Sequence, residues 1–503
     1  MPTRTALRET SQHKPTAMSP RSLLLSLLVL STPAWANNLN IGVPAVAGNT
    51  ITFTIAWDNS WNTSLAPNNW DAVWVFVKRQ SCTDNVWAHA QVSTASVHTV
   101  TGGVLQVDPV TDGRGVFVRR SAVGAGNIAT ATVTLVLQTP ANGVDNFQVF
   151  GIEMVSVPQG DFRIGLGGDY TFNNMNITST IQAAGIGAQG NYICCGWGCP
   201  ASLPGTFPLG WNNFYVMRYE ISQEQFASFL NSLTYTQQSG RMAANPAAAV
   251  GTLAIANSGM VCRNGLRIRT SGVANNTPAV IGCDLNNNGV FNEAADGQNI
   301  ACNHLAWSDL TAYLDWSALR PMTEFEYEKA CRGPDAPPFT DYAWGTNQLL
   351  QATSGSLTNA GQASEASTAF GPGLCAHGAP DNAASGPLRC GFAAGATTRT
   401  QAGATWYGAM DMAGNVWEQC AGGHQSNYSG FTTANGDGTL HWSGVTSVAG
   451  WPMSGGDGGG AIIRGGYYAG PWNQLRVSDR AGITTNANQG RHHHIGGRGA
   501  RSY

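Results

Sequence analysis

Apolar and polar residues alternate along the first part of the chain, and no helical spacing interrupts the alternation between residues 40 and 137. Ile51–Trp57 and Ala72–Lys78 follow this pattern, and Ala129–Leu137 is rich in β-branched residues. A period of two over short segments bounded by Gly, Asn, Asp or Pro is typical of half-buried β-strands. The sequence therefore predicts an all-β, sandwich-like module over residues 37–147.

Helical spacing appears only beyond this module. Apolar residues recur every three or four positions in residues 222–233 and again in residues 308–316, where Ser308 is the expected N-cap. Thr323 opens a capping box for a third helix, and glycine-rich loops follow it. The fold class predicted from these signals is α+β, with a loop-rich second domain over residues 148–503.

The amino-acid composition excludes several classes of protein. The chain has 62 Gly among 503 residues and only 11% charged residues, whereas an average globular chain has about 7% Gly and about 25% charged residues. Because 43% of the residues are apolar, a core can form and wholesale disorder is excluded. The net charge is −3 and no basic cluster is present, so neither a nucleic-acid partner nor a polybasic membrane site is expected.

The N-terminus has the features of an export signal. The apolar run Ser22–Leu30 is too short to span a bilayer, and Arg21 precedes it. Ala34–Ala36 then forms a small-x-small cleavage site, and Met18 is an alternative start. We therefore expect residues 1–36 to be a signal peptide, the alternative being a buried helix. The mature protein is then secreted or periplasmic, without a membrane span.

Eleven cysteines follow this segment. In an oxidising compartment most of them are expected to form disulfides, and the odd number leaves at least one without a partner in the chain. Three cluster in Cys194–Cys199, for which a soft-metal site is the alternative. A disulfide between Cys283 and Cys302 would pin the base of the loop that they bracket.

Residues 284–296 begin like the calcium loop of an EF-hand. Oxygen-bearing side chains stand at the first, third and fifth positions, and Gly289 stands at the sixth, where such a loop turns sharply. The twelfth position, where an EF-hand has Glu, is Ala295, and no flanking helix is evident. The sequence predicts an EF-hand-like calcium loop, with an asparagine-rich turn as the alternative. The expected ligands are Asp284, Asn286, Asn288 and Asp296.

Seven short motifs follow one another from Phe150 to the C-terminus. They are Ile152–Gly165, Phe214–Phe226, Leu305–Asp309, Leu319–Glu328, Tyr342–Gly345, Tyr407–Glu418 and Arg464–Gly466. In these motifs the sequence resembles the formylglycine-generating enzyme (sulfatase-modifying factor) family. The resemblance implies that family's C-type-lectin-like fold. The resemblance does not cover the β module, although similar modules precede such domains in exported bacterial proteins.

The resemblance stops at the family's reacting centre. Members that oxidise a sulfatase cysteine to formylglycine hold Cu(I) with two cysteines, and thiolates suit this soft ion. Both cysteines follow the Arg-Gly-Gly motif, but the matching segment here, Gly465–Arg480, contains none. We therefore expect neither the copper site nor the oxidase activity.

The resemblance also implies a calcium site on the loop of the Gly-Asn-x-Trp-Glu motif. Side-chain and backbone oxygens of this kind suit Ca²⁺, and the alternative is a tight turn without metal. The matching positions are Asp411, Gly414, Val416 and Glu418.

The preferred hypothesis is a secreted binding or structural protein, stabilised by calcium, that reuses the family's groove for a peptide, glycan or cell-surface ligand. The residues expected to line that groove are Trp472, Asn473, Arg476, Asp479 and Arg480.

Two alternatives remain open. One is a metal-dependent oxidoreductase of the formylglycine-generating type, acting on protein cysteine through Cys331, Cys375, Cys390 or Cys420. The other is a variable binding protein diversified by a retroelement, in which residues 467–494 form the binding face. Without such a role, the histidines of Arg491–His494 are predicted to form a solvated loop.

Overall fold

The computed structural model describes ten ranges of the chain: 37–165, 171–172, 174–180, 203–256, 259–334, 342–423, 428, 430–452, 461–481 and 490–503. The predicted signal peptide and Cys194–Cys199 lie outside these residues. The chain is mostly β with few helices, 32% strand and 10% helix, in agreement with the predicted α+β class. Within the described ranges no helix is long and apolar enough to cross a membrane.

The first part of the chain is built from strands alone. They are β1 (Asn37–Ile41), β2 (Ala45–Ala47), β3 (Thr50–Asn62), β4 (Asp71–Gln80), β5 (Trp87–Ala90), β6 (Thr99–Val100), β7 (Leu105–Pro109), β8 (Val116–Arg120), β9 (Gly124–Val136) and β10 (Asn146–Val157). One sheet has the order β1-β3-β9-β6, with β2 added beside β3. The period of two seen in the sequence therefore corresponds to strands, as predicted.

The later elements are shorter. The helices are α1 (Gln223–Asn231), α2 (Tyr235–Arg241), α3 (Trp307–Trp316) and α4 (Glu324–Arg332). The strands are β11 (Phe162–Ile164), β12 (Met175–Ile177), β13 (Phe214–Met217), β14 (Leu266–Thr270), β15 (Val280–Cys283), β16 (Arg320–Pro321), β17 (Leu350–Ala352), β18 (Leu357–Thr358), β19 (Ala366–Ser367), β20 (Leu374–Ala376), β21 (Trp417–Cys420), β22 (Ile462–Arg464), β23 (Ile495–Gly496) and β24 (Gly499–Arg501).

A second sheet continues across the predicted domain boundary at residue 147. Its order is β16-β24-β13-β10-β4-β8-β7, with β5 beside β4. Strand β10 pairs antiparallel with β4 on one side and with β13 on the other. The β module and the loop-rich part therefore share one sheet.

Strand β4 is buried on both faces, because each face contributes to a different core. Val73, Val75 and Val77 pack in a core that includes residues of β3 and β9. Trp74 and Phe76 point to the other side, where Trp74 donates a hydrogen bond to the Ser317 carbonyl. The prediction of a half-buried strand over Ala72–Lys78 was therefore wrong, because β4 is covered on both faces.

Short sheets and buried ion pairs position the loops that follow α4. Strands β22-β21-β23 form one small sheet, and β17 pairs parallel with β20. Glu328 of α4 is hydrogen-bonded to both Arg332 and Arg464, and all three side chains are buried. Removing one partner of such a buried pair would leave an uncompensated charge, which is strongly destabilising.

Candidate functional site

The motif loop of residues 411–418 turns sharply and delivers Glu418 to strand β21. Asp411, Gly414 and Asn415 all have positive φ angles, of 59°, 84° and 65°. Both carboxylate oxygens of Glu418 accept hydrogen bonds from the guanidinium of Arg498, at 2.8 and 2.6 Å. Arg498 also donates to the Met410 carbonyl at 2.8 Å.

These contacts test whether the loop fits the calcium ion that the family resemblance implies. Arg498 already supplies a positive charge to Glu418, and Asp411 Oδ2 accepts the Gly391 N–H. Among the described residues, no group of three or more His, Cys, Asp or Glu has the geometry to hold a metal ion. Arg498 balances the charge of Glu418, and calcium at Asp411, Gly414, Val416 and Glu418 stays a prediction.

A third carboxylate lies behind the same loop. Glu220 accepts hydrogen bonds from the Asn415 side chain at 2.9 Å and from the Val416 N–H at 3.3 Å. Burial raises the pKa of Glu220 well above its usual range, and the charge of Asp411 adds to this effect. Glu220 therefore orients the loop as a hydrogen-bond acceptor in the protein interior.

The five residues predicted to line the groove separate into two groups. Trp472 and Asn473 begin a short 3-10 helix, and Trp472 is 54% exposed. The Arg476 guanidinium lies 4.7 Å from the centroid of the Trp472 ring. Asp479 and Arg480 are buried, and Arg480 is hydrogen-bonded to both oxygens of Glu324. Only the first three residues are therefore placed to meet a ligand.

Aromatic and imidazole side chains meet beside this helix. The Tyr467 ring lies 6.0 Å from the ring of Trp417 and 4.8 Å from that of His494. His493 is 4.8 Å from His494, ring to ring, and its Nε2 lies 2.9 Å from Asp381 Oδ1. We call this surface the tyrosine–histidine face, and we define it as Tyr467, His492, His493, His494 and Asp381, with the buried Tyr468 beneath them.

The tyrosine–histidine face differs from the solvated histidine loop expected from the sequence. His492 is exposed, but His493 and His494 are partly buried. Burial lowers the pKa of His494 to about 4, and the neighbouring His493 contributes. His494 is therefore a neutral imidazole near pH 7, able to donate and to accept hydrogen bonds.

Two residues behind the face come from distant parts of the sequence. Cys262 is buried, with its Sγ 3.5 Å from the Asn382 carbonyl, and burial raises its pKa. His304 is buried as well, and burial lowers its pKa to about 4. Sequence reasoning missed Cys262, His304 and Asp381, because each lies outside the motifs.

The face is continuous with the Trp472 helix. A Cβ atom placed on Gly470 would lie 2.9 Å from the Tyr467 ring and 3.2 Å from Gln474 Oε1. Gly470 therefore permits the close approach of Tyr467 to the helix that carries Trp472 and Gln474. Gly470 therefore links the tyrosine–histidine face to the segment that carries Trp472.

A cavity of about 570 Å³ lies elsewhere, between β1, β10 and α1. Glu153 lines it, and burial raises the pKa of this carboxyl to about 7, against the opposing charge of Arg218. Cys390 and Arg389 also line the cavity. A carboxyl that titrates near neutral pH is suited to proton transfer, so the cavity is a second candidate site.

The thiols of the described residues bear on the alternative of an oxidoreductase. All eight described cysteines are free thiols, so the predicted disulfides are not observed among them. Cys331, Cys375 and Cys420 are buried, and burial raises the pKa of each. Burial raises the pKa of the partly exposed Cys390 as well. Reactive cysteines have depressed pKa values, so these four are not activated nucleophiles.

The residues of the predicted calcium loop come together in the structure. Asp284 follows strand β15, and the described contacts bring Asp284, Asn286, Asn288 and Asp296 into one turn. Asp284 and Asp296 are both fully buried.

Comparison with known proteins identifies the region that contains these features. Residues 144–503 match the family model described as the sulfatase-modifying factor enzyme 1-like domain. The match begins just before β10 and includes the 411–418 loop, Arg464 and the tyrosine–histidine face. Comparison with curated proteins finds no match.

Proposed function

The chain belongs to the sulfatase-modifying factor family, and we propose that it is a ligand-binding member that does not oxidise thiols. The supporting observation is the segment Gly465–Arg480, in which the resemblance calls for two copper-binding cysteines. This chain contributes Tyr467 and Tyr468 there instead, and they pack with His493 and His494. Without thiolates in this segment, Cu(I) lacks the soft ligands that the family's reaction uses.

The chemistry of the surface favours a glycan as the ligand. Trp472 offers an exposed aromatic ring with the Arg476 guanidinium beside it, and Asp381 and His492 offer polar groups on the tyrosine–histidine face. A sugar has an apolar ring face and hydroxyl groups, and aromatic side chains next to hydrogen-bonding groups complement both. A peptide ligand is the competing possibility.

One observation favours the oxidoreductase as a second candidate. Cys262 lies behind Tyr468, so a thiol does stand close to the position that the resemblance assigns to the reacting centre. It is a single thiol, fully buried, and its pKa is raised. Its nearest acidic neighbour, Asp381, raises that pKa further and so opposes the thiolate.

The protein is proposed to act outside the cytoplasm. The apolar run Ser22–Leu30 and the cleavage site at Ala34–Ala36 support export. N-terminal sequencing of the mature protein is expected to begin at Asn37. An N-terminus at Met1 or Met18 in the native host would contradict export by this signal.

A glycan array tests the proposed ligand class. The mature protein is expected to bind one group of related glycans, and Trp472→Ala is expected to weaken that binding at least about tenfold, as an exposed aromatic anchor would. Trp442→Ala is the matched control, because Trp442 is also exposed, at 71%, and lies outside the surface. Binding that Trp472→Ala and Trp442→Ala affect equally would contradict the site. Binding to peptides alone would contradict the ligand class.

A further inference from the structure

The loop of residues 284–296 is folded around its first side chain. The Asp284 carboxylate accepts the Asn288 N–H at 3.1 Å and the Gly289 N–H at 3.2 Å. The Asn288 N–H also points to Asn286 Oδ1, at 3.0 Å. Gly289 has a φ of +82°, a conformation that glycine adopts without strain. The chain therefore curls tightly around Asp284.

A second carboxylate faces the same turn. Asp296 is fully buried, and its Oδ2 accepts the Glu293 N–H at 2.8 Å. The Asn286 N–H also faces this carboxylate. Its Oδ1 atom is buried and makes no hydrogen bond of normal geometry to any described residue. A buried polar atom without a partner is costly, so this oxygen is a vacant acceptor.

The negative charges of the loop are close together. Asp284 accepts the N–H groups of Asn288 and Gly289, and Asp296 accepts the Glu293 N–H, so three carboxylate side chains belong to one turn. Arg267 approaches, but its hydrogen bonds go to the backbone carbonyls of Asp284 and Gly251. Among the described residues, no arginine or lysine forms an ion pair with these three carboxylates. A cation would relieve their repulsion and the cost of burying Asp284 and Asp296.

We propose that this loop binds one calcium ion. The oxygens available are two carboxylates and two side-chain amides, which are hard ligands of the kind that Ca²⁺ takes and that softer metals do not prefer. Asp296 provides the closing carboxylate that Ala295 cannot. The ligands are Asp284, Asn286, Asn288 and Asp296. This site is separate from the tyrosine–histidine face and does not depend on the proposed function.

Equilibrium dialysis with radioactive calcium tests the site in the full mature chain. The wild type is expected to bind one more Ca²⁺ than Asp296→Asn, with a dissociation constant of about 10⁻⁴ to 10⁻³ M, as extracellular calcium modules have. Calcium is expected to raise the melting temperature of the wild type and not that of Asp296→Asn, because an ion that binds only the folded state stabilises it. Asp84→Asn is the matched control, since Asp84 caps an exposed turn far from the loop in sequence.

A measurement without calcium separates loss of binding from loss of fold. In EDTA, Asp296→Asn is expected to be at least as stable as the wild type, since it removes an unpaired buried charge. The proposal is overturned if the wild type binds no calcium. It is also overturned if Asp296→Asn and the wild type bind calcium equally, or if Asp296→Asn is less stable in EDTA.

Discussion

Arg498 holds Glu418 with two hydrogen bonds, of 2.8 Å from Nε and 2.6 Å from Nη2, and both side chains are buried. The pair joins β21 to the segment between β23 and β24 and anchors the loop of residues 411–418. Burial raises the pKa of Glu418, and Arg498 opposes that shift. Arg498 therefore supplies an internal cation to Glu418, which is one of the four positions at which the family resemblance implies calcium.

Loss of Arg498 is expected to destabilise the fold strongly. Arg498→Met leaves the Glu418 carboxylate buried without a partner, which costs about 3–5 kcal/mol of unfolding free energy. Denaturant unfolding measures this change. The control is Arg119→Met, because the Arg119–Asp108 pair is partly exposed and such pairs contribute only about 0–1 kcal/mol. Equal losses in the two variants would contradict the role assigned to Arg498.

Glu153 is expected to make stability fall as the pH rises. Its pKa is raised to about 7 in the folded state, so the folded protein retains a proton that the unfolded chain, with an ordinary carboxyl, has lost. The stabilising contribution of Glu153 to the free energy of unfolding is fully present below the pKa of about 4.3 that the carboxyl has in the unfolded chain. This contribution is lost as the pH rises through the folded-state pKa of about 7.

Unfolding measured at several pH values compares the wild type with Glu153→Gln. Between pH values of about 4.3 and about 7, the free energy of unfolding should fall less for Glu153→Gln than for the wild type, because glutamine does not titrate. Parallel stability curves for the two proteins would contradict a raised pKa at Glu153.

Thiol accessibility is expected to follow burial. In the native protein a thiol reagent should label Cys82, which is exposed, and should leave Cys331, Cys375 and Cys420 unmodified until the protein unfolds. Peptide mapping by mass spectrometry assigns the labels, and Cys82→Ser is the control for its own peptide. Rapid native labelling of Cys331 or Cys375 would show an accessible thiol and would favour the oxidoreductase.

The sequence predicted the first residue of a helix correctly where the capping residues are close together in the chain. Thr323 caps α4 as predicted, because a capping box needs only residues three apart. The prediction for Ser308 was wrong. Helix α3 begins at Trp307, with Ala306 at the N-cap, because the Asp309 carboxylate accepts the Ala306 N–H.

The candidate site was predicted only in part, because it is assembled across long sequence distances. Trp472 and Arg476 were found because they follow a motif. Asp381 contacts His493, which lies 112 positions further along the chain, and no local sequence pattern predicts such a contact. Arg480 was expected at the groove but is buried, because Glu324 of α4 is its partner.

The most direct test of the account concerns chemistry at the family's reacting centre. The purified mature protein is incubated with copper and a cysteine-containing sulfatase-motif peptide, and mass spectrometry follows the peptide. The account predicts that the cysteine stays unconverted, because the segment Gly465–Arg480 supplies no thiolate for Cu(I). Formation of the formylglycine aldehyde by the wild type would contradict it.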